Sequence, residues 1–172
     1  DNLGDENAIL MHSKFKRSDK KLLFNNVFEA FKREGNHAYE LLRSGPIVQA
    51  SLNISCDYMV SEITTAENCL QRMGRLDRFG QNNDINRYSI AIPETLNASK
   101  GTGAVARFLS NSNELASAKA WYALLLEKTD NGKKVHSIAD VYTFYKEFYA
   151  RQSSAIKFIE QVPIKSFFSF ET

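Results

Sequence analysis

Apolar and polar positions along the chain switch between two periods, and the switches mark out the elements. Ala8-Ile9-Leu10-Met11 is a short apolar run of the kind that forms a buried strand. From Asp19 to about Glu34, Leu23, Val27 and Phe31 recur at helical spacing, with Ser18 placed as N-cap and Gly35 just beyond the end. Tyr39 to Leu42 and Ile47-Val48 read as strand pieces around Gly45-Pro46, and Asp57 to Glu62 as a further strand. Thr64-Thr65-Ala66-Glu67 has the form of a capping box, which predicts a helix starting at Thr65. Arg87 to Ile92 alternates, with Tyr88, Ile90 and Ile92 on one face and Pro93 closing the strand. Strands separated by helices or crossovers predict an α/β fold over residues 1–97, with a parallel sheet flanked by helices.

The pattern then changes. Residues 98–103 sit in a run of small, turn-forming residues and read as a linker. Residues 104–172 follow as an all-helical accessory region. A short helix is expected over about 104–109 and a second over about 113–128, stopped by Asp130-Asn131-Gly132. Ser137 and Asp140 form an acidic capping pair for a third, expected to run to about Gln161. That helix carries Tyr142, Phe144, Tyr145, Phe148, Tyr149 and Phe158. Such aromatics can stack on bases of single strands, but the commoner use is core or interdomain packing. The tail, Phe167-Phe168-Ser169-Phe170, is apolar and is expected to dock on another part of the protein.

Charge changes the picture at one place. The net charge of +2 is too small to argue for a polyanion partner, so any basic surface has to be local. Gln71-Arg72-Met73-Gly74-Arg75-Leu76-Asp77-Arg78 supplies one, just behind the predicted capped helix. If the helix continues, Leu70 and Met73 face the core while Gln71, Arg75 and Arg78 share another face at i, i+4 and i+7. Guanidinium forks held in step suit phosphate oxygens, which they bind two at a time. Charge spacing alone is equally consistent with a solvated basic helix end favoured by the helix dipole.

The remaining chemistry is sparse. Cys56 and Cys69 are not in a metal-ligand spacing and no His cluster accompanies them, so no metal site is predicted and a reduced, cytoplasmic setting is expected. No apolar run is long enough for a bilayer span and no membrane association is expected. No Gly-x-x-x-x-Gly-Lys-Ser/Thr occurs, and Gly132-Lys133-Lys134 is no substitute, since it follows a helix. The chain opens at Asp1 without a methionine, which suggests a piece of a longer protein.

Three segments stand in an informative order: His12-Ser13-Lys14-Phe15 behind a strand, Gly45 to Asp57 before another, and Gln71 to Arg78. Together they resemble motifs IV, V and VI of the second RecA-like domain of superfamily 2 helicases. In detail they are most similar to the CRISPR-associated helicase-nuclease of type I systems. Gln-Arg-x-Gly-Arg-x-x-Arg is the specific part of the signal, and the resemblance covers about residues 8–92. Asp5-Glu6 has the form of a helicase metal-binding pair, but no buried strand precedes it and it reads as coincidence.

The resemblance implies an ATP-dependent DNA helicase or translocase motor, unwinding and feeding target DNA to an HD nuclease. Arg75 and Arg78 would then be arginine fingers on the γ-phosphate, with Gln71 near the nucleotide or its attacking water. Ser51, Asn53 and Gly74 would lie on the nucleotide side, Ser51 and Asn53 near its sugar. His12, Ser13 and Lys14 would touch the nucleic-acid backbone, and Arg72 would brace the motif. ATP and Mg2+ would be bound mainly by a first RecA-like domain, leaving this chain inactive alone. Implied partners are single-stranded DNA, the RNA-guided CRISPR surveillance complex, that first domain and the nuclease. Gln49 and Asn53 stand where these helicases usually carry Glu and Asp, and Asp77 where they often carry His. Those departures keep a different DNA or RNA translocase open, as well as a non-catalytic module that binds nucleic acid or a partner. An unrelated α/β interaction domain is the remaining alternative.

Overall fold

In the computed structural model, described over residues 7–12, 14–45, 52–82, 84–92, 109 and 114–153, the chain forms two units, Asp1–Val135 and His136–Thr172. The first strand, β1 (Ala8–Met11), leads into helix α1 (Arg17–Phe31) and then β2 (Leu41–Ser44). β2 pairs parallel to β1, with Ile9 opposite Leu42 and Met11 opposite Ser44. Only a crossover can join parallel neighbours, and α1 supplies it. The period of two along β1 points Ile9 and Met11 inward, where they are buried with Val27, Leu52 and Ile54. Leu23, Phe24, Phe28 and Phe31 of α1 pack around that cluster.

Both ends of α1 differ from the sequence expectation. The N-cap is Lys16, which makes no side-chain cap bond, and Ser18 Oγ donates instead to the neighbouring Asp19 carboxylate (3.0 Å). The helix ends at Phe31 rather than Glu34, because Lys32 is already extended and Glu34 is left-handed at φ 55°. The chain then folds back on the helix end, with Asn36 N–H donating to Glu29 O (2.9 Å). Gly35 makes that return possible, since a Cβ there would lie 2.4 Å from Ala30 O.

The second half of the unit repeats the scheme with β3 (Tyr58–Glu62), α2 (Ala66–Met73) and β4 (Arg87–Ala91). β4 is parallel to β3, with Val60 opposite Ser89. The described strands therefore form two parallel pairs, β1-β2 and β3-β4. On one face Ile63, Ile90 and Ile92 meet helix α3 (Leu115–Lys128) through Leu115, Ala118 and Tyr122, with Leu109 buried beside them. The opposite face of β3 carries Tyr58 and Val60, 67% and 77% exposed. Ala118, Trp121, Leu124 and Leu125 bury one stripe of α3, and Cys69 of α2 lies against Trp121 and Tyr88. Asp130, Asn131 and Gly132 all take positive φ after α3, as befits a stop.

The second unit is described through helix α4 (Ile138–Ser153). Its expected capping pair is present: Asp140 N–H donates to Ser137 Oγ (3.2 Å), and Ser137 N–H donates to Asp140 Oδ2 (2.9 Å). Those bonds hold the Asp140 carboxyl below the usual carboxylate range. Along the helix Tyr145 and Tyr149 meet edge to face, with centroids 4.8 Å apart, while Tyr142 is half exposed at 52%. The strand piece at 47–48, the linker at 98–103, most of the helix at 104–109, the helix beyond 153 and the tail lie outside the described residues. None of the helices among the described residues is long and apolar enough to cross a membrane.

Gly35→Ala should lower stability by roughly 1–3 kcal/mol, the cost of moving backbone to admit a methyl group. Urea titration of the purified chain checks this, and an unchanged midpoint would show that the return loop is not tightly seated on α1.

Candidate functional site

Helix α2 is launched by Thr65, whose Oγ1 accepts the Asn68 N–H at 3.5 Å, so the cap is one residue later than a box on Thr64 would place it. The helix then stops at Met73, with Gly74 as C-cap. Gln71, Arg75 and Arg78 therefore do not share a helical face, as the i, i+4, i+7 spacing predicted. Instead the chain after Gly74 runs alongside the segment before β3. Leu76 and Cys56 form a parallel bridge, in which Cys56 N–H donates to Arg75 O (2.9 Å) and Asp77 N–H donates to Cys56 O (3.0 Å). Those long-range bonds replace the next helical ones, and the helix ends because its carbonyls and amides have another partner.

The turn gives the three arginines three environments. Arg72 reaches back to β3, donating from Nη1 to Ser61 Oγ (2.5 Å) and to Glu62 O (3.3 Å). Arg75 is buried at 8% exposure and donates from Nη1 to Gln71 O (2.7 Å). Arg78 is exposed; its Nε donates to Asn53 Oδ1, its Nη1 to Gly74 O (3.1 Å), and its backbone N–H to Ser55 Oγ (2.9 Å). Burial, and secondarily the Arg78 cation, push the Arg75 guanidinium below its ordinary range. A buried guanidinium whose charge is disfavoured by burial and by a neighbouring cation makes a place where an incoming anion is welcome.

Of the predicted nucleotide-side residues, Asn53 and Gly74 are thus brought onto Arg78, and Gln71 onto Arg75 through its carbonyl. Gly74 has an ordinary helical φ of −64°, and a Cβ there would meet only Leu70 O and Gln71 O at 3.5 and 3.6 Å. Its local backbone does not require a glycine. Ser51 lies outside the described residues, as does Ser13. His12 and Lys14 sit at the C-terminal end of β1, the edge where ligands of open α/β sheets gather. His12 stacks on Phe15, 4.1 Å between centroids and 9° between planes, and its Nδ1 accepts the Lys14 N–H at 3.1 Å. Both contacts hold the ring in place.

Three contributors were not singled out from sequence: Ser55, Ser61 and the carboxylate of Asp77. Ser55 and Ser61 carry no local signal, because each meets an arginine distant in the chain. Asp77 did have one, since Asp at the first and Gly at the fourth position of Asp77-Arg78-Phe79-Gly80 is a turn pattern, and Gly80 N–H does donate to Asp77 O (2.9 Å). The neighbouring Cys56 thiol is pushed up to about 11 by burial and by Asp57, against the pull of Arg75. Among the described residues no cluster of His, Cys, Asp and Glu could hold a metal ion.

With this geometry, the class is that of an α/β domain with parallel strand pairs. The chain superposes on T. fusca Cas3 with a TM-score of 0.65 at 22% identity, over 85% of this chain and 17% of that one. The ATP form of the same protein gives a TM-score of 0.66 at 22% identity, over 88% and 18%. A chain of a CRISPR RNA-guided surveillance complex in a pre-nicking state gives 0.58 at 20% identity, over 86% and 20%. In sequence, residues 1–81 match the family described as CRISPR-associated nuclease/helicase Cas3, C-terminal. A Myxococcus xanthus protein described as a CRISPR-associated nuclease/helicase Cas3 is 34% identical over 71 residues, 41% of this chain and 9% of that protein. The resemblance to the C-terminal helicase region of Cas3 is thereby borne out. The chain spans about a tenth to a fifth of the length of these relatives.

The environments separate the arginines in stability. Arg72→Ala should cost about 1.5–3 kcal/mol, the worth of hydrogen bonds from a charged donor, whereas Arg78→Ala at the surface should cost less than about 1 kcal/mol. Chemical denaturation of both variants checks this, and equal losses would contradict it. Cys56, with its thiol raised from 9.0 to about 11, should alkylate at pH 8 roughly a hundredfold more slowly than an ordinary thiol. Mass-resolved iodoacetamide labelling of the folded chain measures that rate, and labelling at the ordinary rate would show the thiol to be open.

Proposed function

We propose that this chain serves as the second RecA-like half, with a helical accessory region, of an ATP-driven DNA helicase or translocase of the Cas3 type. The observation that carries the reading is the state of Arg78. It is exposed, it is tied to the motif V segment, and among the described residues its side-chain acceptors are the neutral oxygens of Asn53 and Gly74. Its charge is held in place without being neutralised. That suits a group waiting for phosphate oxygens.

In this reading, ATP and Mg2+ are held mainly by a first RecA-like domain, and Arg78 and Arg75 approach the γ-phosphate across the cleft. Their role is to offset negative charge that grows on the phosphoryl oxygens as the bond to the leaving group breaks. Gln71 stands near the nucleotide or its attacking water, and Ser51 with Asn53 near the sugar. The Arg78–Asn53 bond then gives hydrolysis a mechanical path into the segment leading to β3. His12, Ser13 and Lys14 take the backbone of single-stranded DNA, which gives affinity without sequence preference. The likeness to Cas3 and to a surveillance-complex chain supports recruitment by an RNA-guided CRISPR complex and cutting by an HD nuclease of the same protein.

In the complete protein, Arg75→Ala and Arg78→Ala should each reduce DNA-stimulated ATP hydrolysis by about a thousandfold, while circular dichroism shows the fold retained. Hydrolysis surviving in both variants would refute the arginine-finger assignment. The 172-residue chain alone should turn over no ATP, having no phosphate-binding loop.

A further inference from the structure

We infer that Asp77 is the positioning residue for Arg78: it reverses the chain immediately before that arginine and clamps the loop behind it, which aims the guanidinium at Asn53. The inference rests on the reading of Arg78 as a phosphate contact and specifies how that contact is built.

Asp77 takes φ 39°, the left-handed region that most side chains avoid and Asp and Asn tolerate. Its backbone is held on the near side by the bond from its N–H to Cys56 O (3.0 Å). On the far side its carboxylate Oδ1 accepts the N–H groups of Gln81 (2.7 Å) and Asn82 (3.1 Å). Asn82 passes the constraint on, donating from Nδ2 to Asp57 Oδ1 (3.3 Å) and to Asn86 Oδ1 (3.1 Å). Arg78 is thus enclosed between a reversed residue and a capped loop, both fastened to residues 56 and 57. Its backbone N–H has one acceptor position, Ser55 Oγ, and its side chain returns over Asn53 and Gly74 O. A β-branched or aliphatic residue at 77 would lose both the left-handed conformation and the acceptor. Asn would keep both, and Gly only the conformation.

The test is DNA-stimulated ATP hydrolysis by the complete protein carrying Asp77→Asn, Asp77→Gly, Asp77→Leu, Arg78→Ala, or Asp77→Leu with Arg78→Ala. Asp77→Asn should stay within about threefold of the parent. Asp77→Leu should lose about a hundredfold in kcat with little change in KM for ATP, as expected when a transition-state contact is displaced. Combined with Arg78→Ala it should add nothing further, because both changes remove one interaction. If Asp77→Leu does not fold, Asp77→Gly carries the test, with an expected loss of about tenfold in kcat. Parent-level kcat in both Asp77→Leu and Asp77→Gly, alongside an inactive Arg78→Ala, would overturn the inference alone. So would a full additional loss in the double variant. A fully active Arg78→Ala would instead overturn the phosphate reading, and the inference with it.

Discussion

The pairing of Leu76 with Cys56 is the constraint on which the candidate site depends. Two backbone bonds, from Cys56 N–H to Arg75 O and from Asp77 N–H to Cys56 O, lay the end of the arginine segment beside the entry to β3. A net hydrogen bond is worth about 1 kcal/mol, so neither is large by itself. Their effect is geometric: they end α2 at Met73, turn Arg75 inward and bring Arg78 back over Asn53. Without them the helix could run on, and the arginines would fan out over its surface into water.

One residue type then does three jobs according to its acceptors. Arg72 is spent on Ser61 Oγ and Glu62 O and braces α2 against β3. Arg75 gives a bond to a carbonyl of its own helix and sits almost out of water, where its charge is least comfortable. Arg78 keeps both exposure and charge. Asn53 matters here as a neutral partner, because a carboxylate at that position would compete directly with phosphate for the same fork. With the neutral Asn53 as its partner, Arg78 is ordered and none of its side-chain acceptors among the described residues is charged.

Around this site the fold is economical. Each parallel pair needs a crossover, supplied by α1 and α2, and helices bury the faces that the strands turn toward them: α1 over Ile9 and Met11, and α3, which follows β4, over Ile63 and Ile90. The arginine segment is the tail of the second crossover. Placing it there ties Arg78 through Asn53 and Ser55 to the residues leading into β3.

Local pattern was enough for β1, β3 and β4, for a capped helix beginning next to Thr65, for the stop after α3 and for the Ser137-Asp140 cap. Each depends on residues within a turn or two of one another, where spacing and side-chain chemistry act directly. The motif order was legible too, and with it the resemblance to the C-terminal region of Cas3. What spacing could not reveal was where α2 ends. Gln71, Arg75 and Arg78 read as one helical face, and only contact with Cys56, Ser55 and Asn53, all distant in the chain, draws them apart. The arginines were visible in the sequence; their separation into a brace, a buried partner and an exposed contact was decided by tertiary pairing, because backbone bonds formed across the fold outcompete the next turn of a helix.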